Sequence, residues 1–213
     1  MDAAVMPQSR ARSSERRSQA ERREEAERRI LRAAVAIVAK QGFERFTLAD
    51  VGEAAGYSRG LPAHYFGSKD GLVAALATHI VEDFGRGVAR TEKHAAGLER
   101  LLGIVAYYFE SAARDPLRTR ALFAVLGEAL TNPTLRKRIG NLNAHSAEPL
   151  AANIRAAIAH GDVRRTVNPK AQAMLILSGL RGAVSQWLID PARIDLRVLS
   201  KEFAASLQRS LAP

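Results

Sequence analysis

Residues 56 to 60 read Gly56-Tyr57-Ser58-Arg59-Gly60, the G-x-S-x-G spacing that in α/β hydrolases sets a nucleophilic serine on a strained turn between a strand and a helix. That chemistry depends on its surroundings. Upstream, Val51-Gly52-Glu53-Ala54-Ala55 reads as helix where the elbow requires a β-branched apolar strand, and none of the five His residues stands in a recognisable triad setting. A serine hydrolase is therefore kept only as an alternative, and Ser58 is expected to cap a helix. The chain has no Cys, which excludes disulfides, thiolate metal sites and a thiol redox sensor. No enzyme activity, cofactor or metal site is expected.

The same stretch carries a denser set of helix signals. Thr47 with Asp50 three positions on fits the capping box, and Phe46 and Val51 stand at the two ends of a hydrophobic staple, so residues 48–55 are expected to be helical. Gly56 can take positive φ at the end of that helix, Ser58 caps a second over 59–65, and Ser68 caps a third beginning Lys69-Asp70. Two short helices joined through a Gly-containing turn make a helix-turn-helix, whose second helix enters the DNA major groove. Ahead of it, a helix from Ala20 is supported by the pairs Glu24–Arg28 and Glu25–Arg29 and by the apolar stripe Ile30, Ala34, Ile37 and Val38, ending at Gly42. Residues 1–19 lack apolar periodicity and read as a disordered basic tail, whose Arg10, Arg12, Arg16 and Arg17 could enter a minor groove.

Taken in order, Gly42-Phe43, Thr47, Ala54-Ala55-Gly56, Ser58, Gly60, Tyr65-Phe66, Lys69 and Leu72 resemble the DNA-binding domain of the TetR family of transcriptional regulators, over about residues 25–75. Further on, GLRGAVSQWLIDP at 179–191 is similar to the C-terminal effector domain of the BetI-like branch. The resemblance implies an all-α chain: a helix-turn-helix domain at 20–69, then a helical ligand-binding and dimerisation domain at 70–213. It further implies a homodimeric repressor of palindromic double-stranded operator DNA, released by a small-molecule effector. A DNA-binding protein without an effector is the nearer alternative.

Roles within the reading unit combine side-chain chemistry with that resemblance. Arg59 could reach guanine O6 and N7, and Leu61 a thymine methyl. Thr47, Ser58, His64, Tyr65 and Lys69 match positions that in the family commonly contact phosphates, with Gly60 and Arg45 beside them. Two residues depart from the family pattern. Ala63 removes a Tyr hydroxyl, and Pro62 falls at about the fourth helical position if the helix starts at Arg59, which would displace or open its first turn.

The remaining chain is punctuated by Asp115-Pro116, Asn132-Pro133, Asn168-Pro169 and Asp190-Pro191, each read as an N-cap followed by Pro at the first helical position. Helices are expected near 70–92, 97–113, 116–130, 133–160, 169–188 and 195–211, the fourth kinked at Pro149. Small residues at Ser178, Gly179, Gly182 and Ala183, together with Trp187 and the stripe Leu199, Phe203 and Leu207, are assigned by resemblance to a four-helix dimer interface. Tyr108, Phe109, Phe123 and Met174 are the candidate ligand-binding residues, with Glu128, Arg181 and His145 as polar anchors.

Net charge is +10, yet residues 46–72 carry two basic residues against three acidic ones; the charge steers toward DNA without locating the site. The longest apolar run, 174–180, is far short of a membrane span, and a cytoplasmic location is expected. Ser58→Ala separates the two readings of the pentapeptide: a hydrolase loses turnover, whereas a regulator shows only weaker operator retention in a gel-shift assay.

Overall fold

Short polar side chains write most of the helix starts. In the computed structural model, which describes residues 18–91 and 93–213, the Glu21 N–H donates to Ser18 Oγ at 3.2 Å and the Ser18 N–H donates to Glu21 Oε2 at 2.7 Å. This reciprocal box starts α1, Gln19–Gln41, slightly ahead of the expected Ala20. Arg10, Arg12, Arg16 and Arg17 lie outside the described residues. The expected box at Thr47 is present, with Asp50 N–H to Thr47 Oγ1 at 3.2 Å and Thr47 N–H to Asp50 Oδ2 at 2.7 Å. It starts α2, Leu48–Ala54.

The next helix begins later than the sequence suggested. α3 spans Leu61–Phe66, its cap is Gly60, and no side chain caps it. Ser58 instead contributes its backbone carbonyl, which accepts from the Leu61 N–H at 3.1 Å in the preceding turn. Pro62 accounts for the shift: a start at Arg59 would need its missing N–H, whereas a start at Leu61 places it where no intrahelical donor is used. The ring is buried, and the displaced first turn expected from Pro62 is not required.

α4, Lys69–Thr91, follows at once, with Ser68 Oγ accepting from the Gly71 N–H at 3.0 Å. Then come α5 (Leu98–Arg114), α6 (Pro116–Glu128), α7 (Pro133–His160), α8 (Pro169–Ile189) and α9 (Leu196–Leu211). Asp115, Asn132 and Asn168 cap α6, α7 and α8 ahead of Pro, as expected. Asp190 does not start a helix. It closes α8 and holds a single turn, through Arg193 N–H to Oδ1 and Ile194 N–H to its carbonyl, both at 3.2 Å; Asp195 then caps α9. The described residues are all helix, turn and loop.

Two apolar cores organise these helices. The first joins Ile30, Leu31 and Val38 of α1, Val51 of α2 and Leu72, Val73 and Leu76 of α4 to Leu122 and Val125 of α6 and Leu135 and Ile139 of α7. The second gathers Leu101, Val105 and Phe109 of α5 with α7, α8 and α9. The start of α4 is also tied to α7, since the Asn132 amide donates to Asp70 Oδ1 at 3.2 Å.

Within the helix-turn-helix the closest backbone approach is at Gly52. A Cβ there would lie 2.6 Å from the Ser58 carbonyl oxygen and 3.2 Å from Pro62 Cδ. Gly52→Ala is accordingly expected to destabilise the fold by about 1–3 kcal/mol through overpacking and to tilt α3, read out as a lower midpoint in urea unfolding. An unchanged midpoint would mean that the turn yields at no cost.

Candidate functional site

The first candidate surface is the edge formed by the turn before α2, the turn between α2 and α3, and α3 itself. Arg45, Thr47, Ser58, Arg59, Gly60 and His64 are exposed along it, while Leu61, Tyr65 and Lys69 are half-buried. Arg59 stands in the turn before α3 rather than on the helix, and it pairs with Glu53 at 3.1 Å, both side chains mostly exposed. Such a pair is worth little, so the guanidinium can exchange its partner.

Lys69 is more constrained than its sequence context indicated. Its ammonium donates to the Glu44 carbonyl at 3.1 Å and lies 4.7 and 4.6 Å from the ring centroids of Phe43 and Phe46. It locks the 42–46 turn to the start of α4. Two further arginines reach this region from α1: Arg23 lies 5.5 Å from the Tyr65 ring centroid, and Arg29 lies 4.9 Å from that of Tyr57. Sequence reasoning missed both, since a stacking partner more than twenty-five residues away leaves no local signal. The Thr47 backbone hydrogen bond, helped by the Thr47 hydroxyl, holds the Asp50 carboxyl below its ordinary range.

The second candidate site is a cavity of about 340 Å³ lined by α4, α5, α6, α7 and α8. Its walls include Ile80 and Phe84 of α4, Tyr108 of α5, Arg118 and Leu122 of α6, His145 and Asn153 of α7, and Leu180 and Arg181 of α8. Of the sequence candidates, the cavity brings together Tyr108, His145 and Arg181. Phe109, Phe123, Met174 and Glu128 are elsewhere. Phe109 turns the other way on α5 and meets Phe203 of α9 at 5.9 Å between centroids, Phe123 packs on the second core, and Met174 is 44% exposed on the outer side of α8.

Polar groups in the cavity are braced by their neighbours. Arg118 pairs with Asp83 at 2.5 Å and donates to Ser111 Oγ at 2.8 Å, linking α6 to α4 and α5. Arg181 donates to Asn143 Oδ1 at 2.7 Å and lies against the Tyr108 phenol. Burial raises the Tyr108 hydroxyl above its ordinary range, partly opposed by Arg181, and burial lowers Arg181.

The expected interface residues divide by placement. Leu207 is buried within the chain, Phe203 sits over Gly179 and Phe109, and Leu199, Ala183 and Trp187 pack on the second core. Gly182 is exposed. The large apolar groups left exposed on α8 and α9 are Met174, Leu175, Ile189 and Val198.

Two family models match successive stretches of the chain. The family model of bacterial regulatory proteins, tetR family, matches residues 30–76, and that of the BetI-type transcriptional repressor C-terminal domain matches residues 97–212. The chain belongs to the TetR family of transcriptional regulators, in its BetI branch. It is similar to the HTH-type transcriptional regulator BetI of Paraburkholderia xenovorans (strain LB400), at 29% identity over 159 residues, 73% of this chain and 80% of that one. Its fold is similar to a putative transcriptional regulator from Saccharomonospora viridis in complex with choline, with TM-score 0.75 and 21% identity over 89% of this chain and 99% of that one. It is also similar to the transcriptional regulator FadR from Bacillus subtilis in complex with stearoyl-CoA, with TM-score 0.74 and 21% identity over 86% and 98% of the two chains.

In this TetR-type regulator the G-x-S-x-G sequence lies between two helices, and no strand precedes Ser58 among the described residues, so the nucleophile-elbow context is missing. Nor is any described helix long and apolar enough to cross a membrane. The Thr47–Asp50 box yields a test with a definite sign. A depressed folded-state pKa contributes stability that is complete above about pH 4, the unfolded value, and is lost as pH falls through the folded value. Thr47→Ala is expected to cost about 1 kcal/mol near neutral pH, with a smaller difference from wild type at pH 3, measured by urea unfolding at both pH values.

Proposed function

We propose that this regulator is a repressor that binds a palindromic operator as a homodimer, acts in the cytoplasm, and is released when a small molecule occupies the cavity between α4 and α8. One observation carries the reading: α4 begins at the DNA-facing edge with Lys69 and, a few turns later, supplies Ile80 and Phe84 to the cavity wall. A ligand that repositions this wall also repositions the reading unit.

At the operator, Arg59 and Leu61 are the proposed base-reading side chains, while Thr47, Ser58, His64, Tyr65, Lys69 and Arg45 set register on phosphates. The Gly60 backbone allows close approach to the groove. Association places the outer faces of α8 and α9 together, where Leu175, Gly182 and Ile189 recur at seven-residue spacing and Leu175 and Ile189 are 66% and 76% exposed. Two copies held this way present paired α3 helices to successive major grooves, about 34–36 Å apart.

Release requires the ligand to prefer the non-binding arrangement by roughly 5.5 kcal/mol for a near-complete switch. The cavity supports an effector over a constitutive regulator, because its 340 Å³ is lined by five helices and lies within the range of small-molecule sites, roughly 300–1,000 Å³. Two neighbours of this fold are in complex with choline and with stearoyl-CoA, which supports a small-molecule ligand for this cavity.

The test is gel-shift of the full chain on the DNA upstream of its own coding sequence. At low salt, wild type is expected to shift the fragment and Arg59→Ala to bind about tenfold or more weakly. Leu175→Glu with Ile189→Glu is expected to sediment as a monomer and lose the shift. No binding by wild type at low salt would remove the reading.

A further inference from the structure

The cavity contains a cation whose partners in the chain carry no charge. Arg181 is half-buried, and its partners among the described residues are the Asn143 side-chain oxygen at 2.7 Å and the Tyr108 phenol, with no carboxylate of those residues beside it. Arg118, across the cavity, shows the contrast: Asp83 at 2.5 Å and Asp115 at 3.8 Å neutralise it. A buried charge is ordinarily paired, and the space in front of Arg181 is the cavity itself. Arg100 adds a third guanidinium to the lining.

The remainder of the wall sets the rest of the ligand's chemistry. Ile80, Val88, Ile104, Leu122, Leu177 and Leu180 make most of it apolar. The carboxylate in the lining, Glu82, stands exposed at the rim and faces Arg86 at 4.0 Å. A quaternary ammonium needs aromatic faces or an inward carboxylate. Here the lining Phe84 and Tyr108 rings meet edge to face at 5.6 Å and 70°, one ring closing off the other instead of forming a box.

We infer that the cavity takes an anionic amphiphile, a medium-chain or aryl carboxylate, whose head group supplies the missing counter-ion of Arg181 while its tail fills the apolar wall between α4 and α8. This rests on the effector reading of the cavity. A carboxylate accepts a forked pair of hydrogen bonds from a guanidinium, the strongest polar anchor such a lining offers. At 340 Å³ the space suits a ligand of that size.

The experiment titrates the full chain with sodium decanoate, decanol and decyltrimethylammonium, all below their micellar concentrations, by calorimetry and thermal shift. Decanoate is expected to bind about tenfold or more tightly than either of the other two, in keeping with a charge-assisted head-group contact. Arg181→Gln is expected to lose that advantage while still binding decanol as wild type does, and Arg181→Lys to recover part of it. Equal or tighter binding of decanol or decyltrimethylammonium overturns the inference, as does an Arg181→Gln protein that binds decanoate unchanged. The three-way comparison on the unmodified chain decides the matter even where the variant fails to fold. Gel-shift on upstream DNA without amphiphile is scored separately: decanoate binding by a chain that binds no DNA upholds the ligand class and removes the regulator reading.

Discussion

Helix α4 buries Leu72, Val73, Leu76 and Ile80 in the core it shares with α1, α2, α6 and α7, and then sets Phe84 and Val88 against the second core. A fully buried aliphatic side chain of this size is worth roughly 1.5–3 kcal/mol relative to exposure. Detaching the start of α4 from α1 and α2 would therefore cost several such contributions at once. The same is true of α6, whose Ala121, Leu122 and Val125 lie in that shared core. A shift induced at the cavity has to travel as displacement of packed helices, with the helix-turn-helix carried as one body. The cap at Thr47 and the Lys69 clamp on the 42–46 turn keep that body stiff, while the Asn132–Asp70 bond ties it to α7.

Most of this architecture could be read from the chain because helix ends are local. Asp115, Asn132 and Asn168 before Pro, the Thr47–Asp50 box and Gly56 at φ 76° each act over three or four residues. Ser58 misled because capping preference is a statement about one residue, while the start of α3 is decided by where Pro62 can lose its N–H without cost. Asp190 misled in the complementary way: the same Asp-Pro dipeptide that starts a helix also closes one turn between α8 and α9. The contacts of Arg23 and Arg29 with Tyr65 and Tyr57 belong to tertiary structure and had no sequence signature.

The cavity was legible only in part for a related reason. An apolar stripe on α5 shows which residues face inward, but adjacent positions on a helix point about 100° apart, and the direction of the void decides between them. Tyr108 faces the space between α4 and α8, and Phe109 faces α9. Arg181 and His145 could be proposed from their polarity, whereas their sharing one cavity wall depends on how α7 and α8 pack. On the outer side of α8, Leu175 and Ile189 are exposed, while on α9 Leu207 is buried and Phe203 packs on the second core.

The close approach at Gly52 bears on how such a protein changes over evolutionary time. The helix-turn-helix frame is fixed by Gly52 against the Ser58 carbonyl, by the buried Pro62 ring and by Val51 in the core. None of these presents a side chain at the exposed edge. The residues that do, at 59, 63 and 64, contribute little to the frame. Frame and exposed edge are therefore written at largely separate positions, so that the edge can change through single substitutions at 59, 63 and 64 without first having to survive a loss of folding.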